Sequence, residues 1–204
     1  MRFNIFFSIV LIFIINGCGD SGTNTNNKND VIWPLKVGNT WTYNVYSYHR
    51  YNEDTVKPYD TITYYISGKK TINGEDWFYL SAIGKSTHNI MTNRDDGLWG
   101  LNFKDSNNID IDSAILLYKY PTYLNEYYPN DTNGLKTISL NTLVTSSAGN
   151  FNCILLINIK RNDKLFLSPR FGLIKSEQIT NINTNVNPPD TNWIRMLLES
   201  YVLN

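Results

Sequence analysis

Lys69-Lys70-Thr71-Ile72-Asn73-Gly74-Glu75-Asp76-Trp77-Phe78-Tyr79-Leu80-Ser81-Ala82 is the stretch whose reading decides the fold class. Asn73-Gly74 adopts the positive φ angles of a type I′ turn at little steric cost. Thr71-Ile72 before it and Trp77-Phe78-Tyr79-Leu80 after it supply two strands rich in β-branched and aromatic side chains. The stretch reads as a β-hairpin.

The same signature extends outward in both directions. Before the hairpin, Trp41, Tyr43 and Val45 share one face of a strand and Thr40, Thr42 and Asn44 the other, the period of two expected of half-buried β structure. Ile62, Tyr64 and Ile66 repeat that period after a polar loop containing Pro58. After the hairpin, Arg94-Asp95-Asp96-Gly97 turns between Ile90 to Thr92 and Gly97 to Asn102, and the polar residues 105–112 read as a loop. A strand over residues 114–120 ends at Pro121, and residues 123–129 are aromatic but irregular. Ser146-Ser147-Ala148-Gly149-Asn150 turns between strands 136–145 and 151–159. Phe151, Cys153, Leu155 and Ile157 share a face of the second. Strands 164–167 and 173–179 flank Ser168-Pro169-Arg170-Phe171-Gly172, and residues 181–192 read as an Asn/Pro loop. In residues 193–203, Ile194, Leu197, Leu198 and Tyr201 also suit a helical face. The segment reads as a strand, with a helix as the alternative.

Many short strands separated by turn signals imply an all-β fold: a single antiparallel meander closed as a barrel or half-barrel, or folded as a sandwich. The linkers leave no room for the crossover helices that a parallel sheet needs. Fourteen Tyr, five Trp and nine Phe fit this class. Eighteen basic and eighteen acidic residues cancel, and no basic block is present to draw in phosphates, which argues against a nucleic-acid partner.

The N-terminus reads differently from the rest. Arg2, the apolar run Phe3 to Ile15 and Asn16-Gly17-Cys18 have the order of a secretory signal, and the run is well short of the ~20 residues that span a bilayer. Ile15-Asn16-Gly17-Cys18 resembles the lipobox of bacterial lipoproteins, with Asn16 departing from the usual small or aliphatic choice. The resemblance implies cleavage between Gly17 and Cys18 and acylation of Cys18. Several acyl chains anchor a protein stably where one does so only marginally. Residues 19–30 are Gly, Asp, Ser, Thr, Asn and Lys with nothing apolar to bury, the composition of a flexible tether. The expected organisation is a signal peptide over 1–17, a lipidated cysteine and tether over 18–30, and a β domain over 31–204. Gly19 after the cysteine lacks the inner-membrane retention Asp of some bacteria, and Asp20 follows one place later. This favours the outer membrane.

No catalytic constellation is evident. Only His49 and His88 are present, too few for a multi-histidine metal centre, and neither a Gly-x-Ser-x-Gly elbow nor a His-Glu-x-x-His motif occurs. The oxygen-rich Asp105 to Asp112 lacks the glycine of a calcium loop and has Leu116 where the closing Glu would fall. Asn130-Asp131-Thr132-Asn133-Gly134 is explained by turn chemistry. Cys153 alternates with Phe151 and Leu155 and reads as a buried, inert thiol. No catalytic residue, metal or cofactor is therefore assigned. Tyr46, Tyr48, Tyr123 and Tyr127 are the candidate binding residues, since a tyrosine offers an apolar ring and a wet tip to a protein or glycan. The competing reading places such aromatics in core and cross-strand pairs.

Three pieces resemble a wider group. Pro34-Leu35-Lys36-Val37-Gly38-Asn39-Thr40-Trp41, Ala148-Gly149-Asn150-Phe151-Asn152-Cys153 and Ser168-Pro169-Arg170-Phe171-Gly172-Leu173-Ile174-Lys175 occur in that order. They are similar to the Pro-Leu-x-x-Gly-x-x-Trp, Gly-Thr-Phe-x-Cys and Pro-x-x-Gly-Leu-x-Lys pattern of uncharacterised cell-envelope lipoproteins of Gram-negative bacteria. Asn150 stands where that group usually has Thr, and Arg170 where Gly is common. The resemblance implies an exported all-β lipoprotein and transfers no catalytic residue. The expected function is a lipid-anchored envelope lipoprotein with a non-enzymatic binding or structural role. Its partners are a membrane through the N-terminal lipid and an envelope protein, glycan or lipid ligand. The alternative is a carrier holding a lipid or other apolar ligand inside a β-barrel. The two differ in whether the inward positions of strands 41–45, 62–66 and 151–157 meet or leave a cavity.

Overall fold

The computed structural model describes residues 30–49, 57–86, 88–101, 111–128, 134–183 and 190–204. The expected signal, Gly17, Cys18, the expected tether before Asp30, most of the oxygen-rich 105–112 stretch and Asn130-Asp131-Thr132-Asn133 lie outside the described residues.

Twelve strands form one antiparallel sheet that curls into a nearly closed barrel. The first six are β1 (Thr40–His49), β2 (Asp60–Ile72), β3 (Glu75–Ala82), β4 (His88–Arg94), β5 (Gly97–Leu101) and β6 (Ile115–Lys119). The second six are β7 (Tyr127–Tyr128), β8 (Leu135–Ser146), β9 (Gly149–Asn158), β10 (Lys164–Ser168), β11 (Gly172–Asn183) and β12 (Asp190–Val202). Their order, β6-β5-β4-β3-β2-β1-β12-β11-β10-β9-β8-β7, is a meander in which every strand pairs with its neighbours in sequence except at β6 and β7. The chain ends meet at β1 and β12, and the gap lies mid-chain.

The hairpin that anchored the sequence reading is β2–β3. Asn73 and Gly74 have φ of 52° and 83°, as a type I′ turn requires. Trp77-Phe78-Tyr79-Leu80 is apolar without a break because this part of the sheet is covered on both faces. Leu80 and Phe78 face the main core, whereas Trp77 joins Ile90 and Leu101 in a second, smaller cluster with Ile72, Tyr79 and Ala114 packed against it. On β1 the period of two holds: Trp41, Tyr43 and Val45 are buried. Burying side chains of this size contributes ~1.5–3 kcal/mol each.

Three local expectations change. Residues 61–67 and 71–72 belong to one strand, β2, which continues through a register shift between Ile66 and Gly68. A bulge lets a long strand bend around a barrel without ending. The expected 181–192 loop is shorter, because β11 runs to Asn183 and β12 starts at Asp190, with Asn181 pairing Asn192 across them. Backbone pairing to an adjacent strand prevails here over the low strand propensity of asparagine. The irregular 123–129 stretch contains the two-residue strand β7, paired to Leu135 and Lys136. The C-terminal segment, open between strand and helix, is strand β12, registered against β1 and β11.

Candidate functional site

The three recurring sequence pieces, distant in the chain, converge at one end of the barrel. Residues 31–35 lie across that end and are fixed by backbone-directed bonds. Asn39 Nδ2 donates to Pro34 O (2.8 Å), Asn93 Nδ2 to Trp33 O (2.9 Å) and Arg170 N–H to Val31 O (2.8 Å). Trp33 packs edge-on to Trp41 at 5.6 Å and stacks on Tyr118 at 6.4 Å. Gly172 makes this possible: its φ is +90°, and a Cβ there would lie 2.9 Å from the Trp33 ring. Trp41 Nε1 donates to Phe171 O and the Tyr43 hydroxyl to Leu173 O, both at 2.8 Å, so β1 holds the 168–173 turn from inside. Burial pushes the Tyr43 phenol well above its usual range, and it stays protonated as a donor.

Beside this junction Phe151, Phe171 and Tyr201 pack edge to face, with centroids 5.3, 5.4 and 6.2 Å apart. They border an open cleft of about 400 Å³ that Asn150, Asn152 and Ser168 also line. Two hydrogen bonds shape its polar wall. Ser168 Oγ donates to Asn152 O at 3.0 Å, and Thr145 Oγ1 donates to Asn150 Oδ1 at 2.8 Å. No lining residue is acidic or basic.

The four tyrosines singled out in the sequence fall into two separate pairs. Tyr46 and Tyr48 are on β1, on the face opposite Trp41 and Tyr43, with the Arg195 guanidinium 4.8 and 5.1 Å from their rings. Tyr48 is only 6% exposed beneath it. Tyr123 and Tyr127, 66% and 57% exposed, stand at the open edge of the sheet, where β7 pairs only with β8. Five strands separate β1 from β7, so the pairs do not form one surface. The sequence reading did not single out Asn150, Asn152, Phe171 and Tyr201 as binding residues. Their available signal was membership of, or register next to, the recurring pieces: Tyr201 pairs with Trp41.

The remaining chemistry is quiet. Cys153 is buried, its Sγ 3.7 Å from Phe151 O, and desolvation pushes its thiol up to about 12. His88 lies edge-on to Tyr79 at 4.9 Å, and His49 ends β1. Among the described residues, no three His, Cys, Asp or Glu side chains gather into a metal-holding group.

No family model matches the chain, and no curated protein matches it. Two solved structures are similar to it in part. One is a candidate lipoprotein from Parabacteroides distasonis, 12% identical, with a TM-score of 0.43, 85% of this chain and 99% of that chain covered. The other is a candidate exported protein with a YmcC-like fold from Bacteroides fragilis, 12% identical, with a TM-score of 0.49, 85% and 100% covered.

Proposed function

We propose that this chain is an envelope lipoprotein, held to a membrane through lipid on Cys18, that acts without catalysis through the surface of a filled β-barrel. One observation carries the choice of surface over interior. The inward positions Trp41, Tyr43, Ile66, Phe151, Cys153 and Leu198 belong to a single packed cluster, which speaks against the carrier reading. The barrel also inverts the pattern of a transmembrane pore, which puts apolar side chains outward and polar ones inward. Here Trp41 and Tyr43 point in, while Thr42 and Asn44 are on the other face. The Ile15-Asn16-Gly17-Cys18 stretch supports the anchor, and Gly19 after it supports the outer membrane.

The anchor is tested by expressing the full chain in a Gram-negative host fed an alkyne-tagged palmitate. Label and membrane association are expected in the wild type and lost together in Cys18→Ser, with the labelled protein banding with outer membranes on a density gradient. Unlabelled wild type, or a labelled Cys18→Ser variant, contradicts the reading.

A further inference from the structure

We infer that the open edge of β8 is an interface at which a second copy of this chain adds its own β8, antiparallel, to form a two-fold dimer. The inference goes beyond the surface-binding reading and draws on it only for the lipid tether. It starts from an unfinished ladder. β8 pairs with β9 from Leu135 to Ser146, but β7 covers its other side only at Leu135 and Lys136. Thr137 adds two backbone bonds on that side, with Asn125 at 2.8 Å and Glu126 at 2.9 Å. Among the described residues, no backbone bond reaches 138–146 from there. Alternate residues of an antiparallel strand direct N–H and C=O away from the partner, so this stretch offers unpaired groups to another strand.

Edges of this kind are normally blunted by charge, proline, a bulge or a covering segment. β8 has bulges in its first half, at the register shifts between Thr137 and Ser139 and between Ser139 and Thr142, where the Asn141 N–H turns to Ser139 Oγ. From Thr142 to Ser146 the register is regular. Residues 137–159 contain no Asp, Glu, Lys, Arg or Pro, in a chain with eighteen acidic and eighteen basic residues. Apolar side chains collect at the same place. The exposed Tyr123, Leu124, Tyr127, Ile138, Leu140 and Leu143 all belong to β7, β8 or the loop before them. Leu143 is 67% exposed and lies on the outer face, opposite the buried Val144.

The chemistry of the edge selects its occupant. Burial in a lipid surface would leave the N–H and C=O groups unpaired in hydrocarbon. A charged segment would meet no counter-charge over 137–159. A second β8 satisfies both conditions. It returns the missing backbone bonds, brings Leu143 to the same outer face as its counterpart, and sets no like charges opposite one another. Antiparallel strands related by a two-fold axis use the same patch on both chains, so the assembly closes at two. The tip of the hairpin is held before a partner arrives, because Ser147 Oγ donates to Glu199 Oε2 at 2.6 Å. Copies tethered by lipid to one membrane also meet at a raised effective concentration.

The test uses the full chain, expressed in a Gram-negative host and extracted in detergent. Sedimentation equilibrium in density-matched detergent measures protein mass across concentration, and hydrogen exchange reads the amides of 138–146. A monomer–dimer equilibrium is expected, with exchange within 142–146 slowing roughly tenfold or more in the dimer and exchange in β5 unchanged. Leu143→Lys weakens dimerisation roughly tenfold or more. Ile83→Lys, at a 68% exposed position after β3, leaves it unchanged. If Leu143→Lys fails to fold, exchange in the wild type decides the matter. A monomer at every concentration, growth beyond two copies, a dimer with unaltered exchange in 142–146, or a Leu143→Lys dimer as tight as the wild type overturns the inference. Those outcomes leave the anchor and the filled interior untouched, since palmitate labelling and bound mass read them separately.

Discussion

The sheet joins at the chain ends and is bridged across its mid-chain gap, and the two closures differ in kind. Where β1 meets β12, ten residue pairs run from Thr40↔Val202 to His49↔Asn192, with one register shift between Thr42 and Tyr43. Where β6 faces β7, no ladder forms, and side chains together with isolated backbone bonds hold the connecting segment to its neighbours. The Glu126 carboxylate pairs with Lys119 Nζ and accepts from Thr122 Oγ1 and the Tyr123 N–H, both at 2.9 Å. The Thr122 and Thr137 hydroxyls meet at 2.7 Å, and Tyr120 N–H donates to Asp96 O at 3.0 Å. The first closure repeats a backbone bond that any sequence can make, over a buried row of Trp41, Tyr43 and Leu198. The second rests on a few specific side chains and isolated backbone bonds. Strength at the chain ends and specificity at the seam follow from that difference.

The largest effect is expected on the β1–β12 side. Trp41→Ala removes a fully buried indole and its bond to Phe171 O. A loss of ~3–5 kcal/mol is expected, read as a lower midpoint in chemical denaturation. Gly172→Ala comes next, at roughly 1–3 kcal/mol, because the new methyl requires a positive φ and meets the Trp33 ring. Glu126→Gln at the seam keeps an acceptor and loses the charge, with an expected cost of about 1 kcal/mol. Hydrogen exchange in that variant should quicken at β6 and β7 and stay slow at β1 and β12. Equal quickening at both closures would remove the distinction.

Acid gives the smallest and most selective probe. Burial alone would raise the Glu126 carboxyl, but hydrogen bonds from Lys119, the Tyr123 N–H and Thr122 outweigh it and hold it below the ordinary carboxylate value. A carboxyl depressed in the folded state contributes stability that is full above about pH 4.5 and is lost as the pH falls through its folded value. Glu75, bonded at 2.8 and 2.9 Å by Arg94, behaves the same way on β3. Amides near Glu126 should therefore begin to exchange faster below pH 4.5, before those of β1. Protection unchanged down to pH 3 would show that the clasp carries no weight.

How far the sequence could foresee this depends on how local the cause was. Asn73-Gly74 encodes its own turn, and the alternation at Trp41, Tyr43 and Val45 encodes its own face, so strands and class were legible. Closure is a long-range property. Nothing within residues 193–203 says that they pair with β1, and the choice between helix and strand stayed open until Tyr201 met Trp41. The seam was less visible still, because Lys119, Thr122 and Glu126 look like ordinary polar residues until Thr137 is beside them. The cleft was half legible. Its residues lie in or beside the pieces that resemble those of envelope lipoproteins, but only the fold shows that Phe151, Phe171 and Tyr201 pack together. The exposed Tyr123 and Tyr127 stand apart from that group, and Tyr48 is covered by Arg195.

On the proposed reading the barrel is filled with its own side chains and works from its surface. The most direct measurement is native mass spectrometry on residues 19–204, produced without the signal and purified without detergent. A mass equal to the polypeptide alone, single or paired, unchanged after incubation with envelope lipids, is the predicted result. A reproducible extra mass smaller than a second chain that survives gentle ionisation and disappears on denaturation would identify a bound interior ligand and contradict the account.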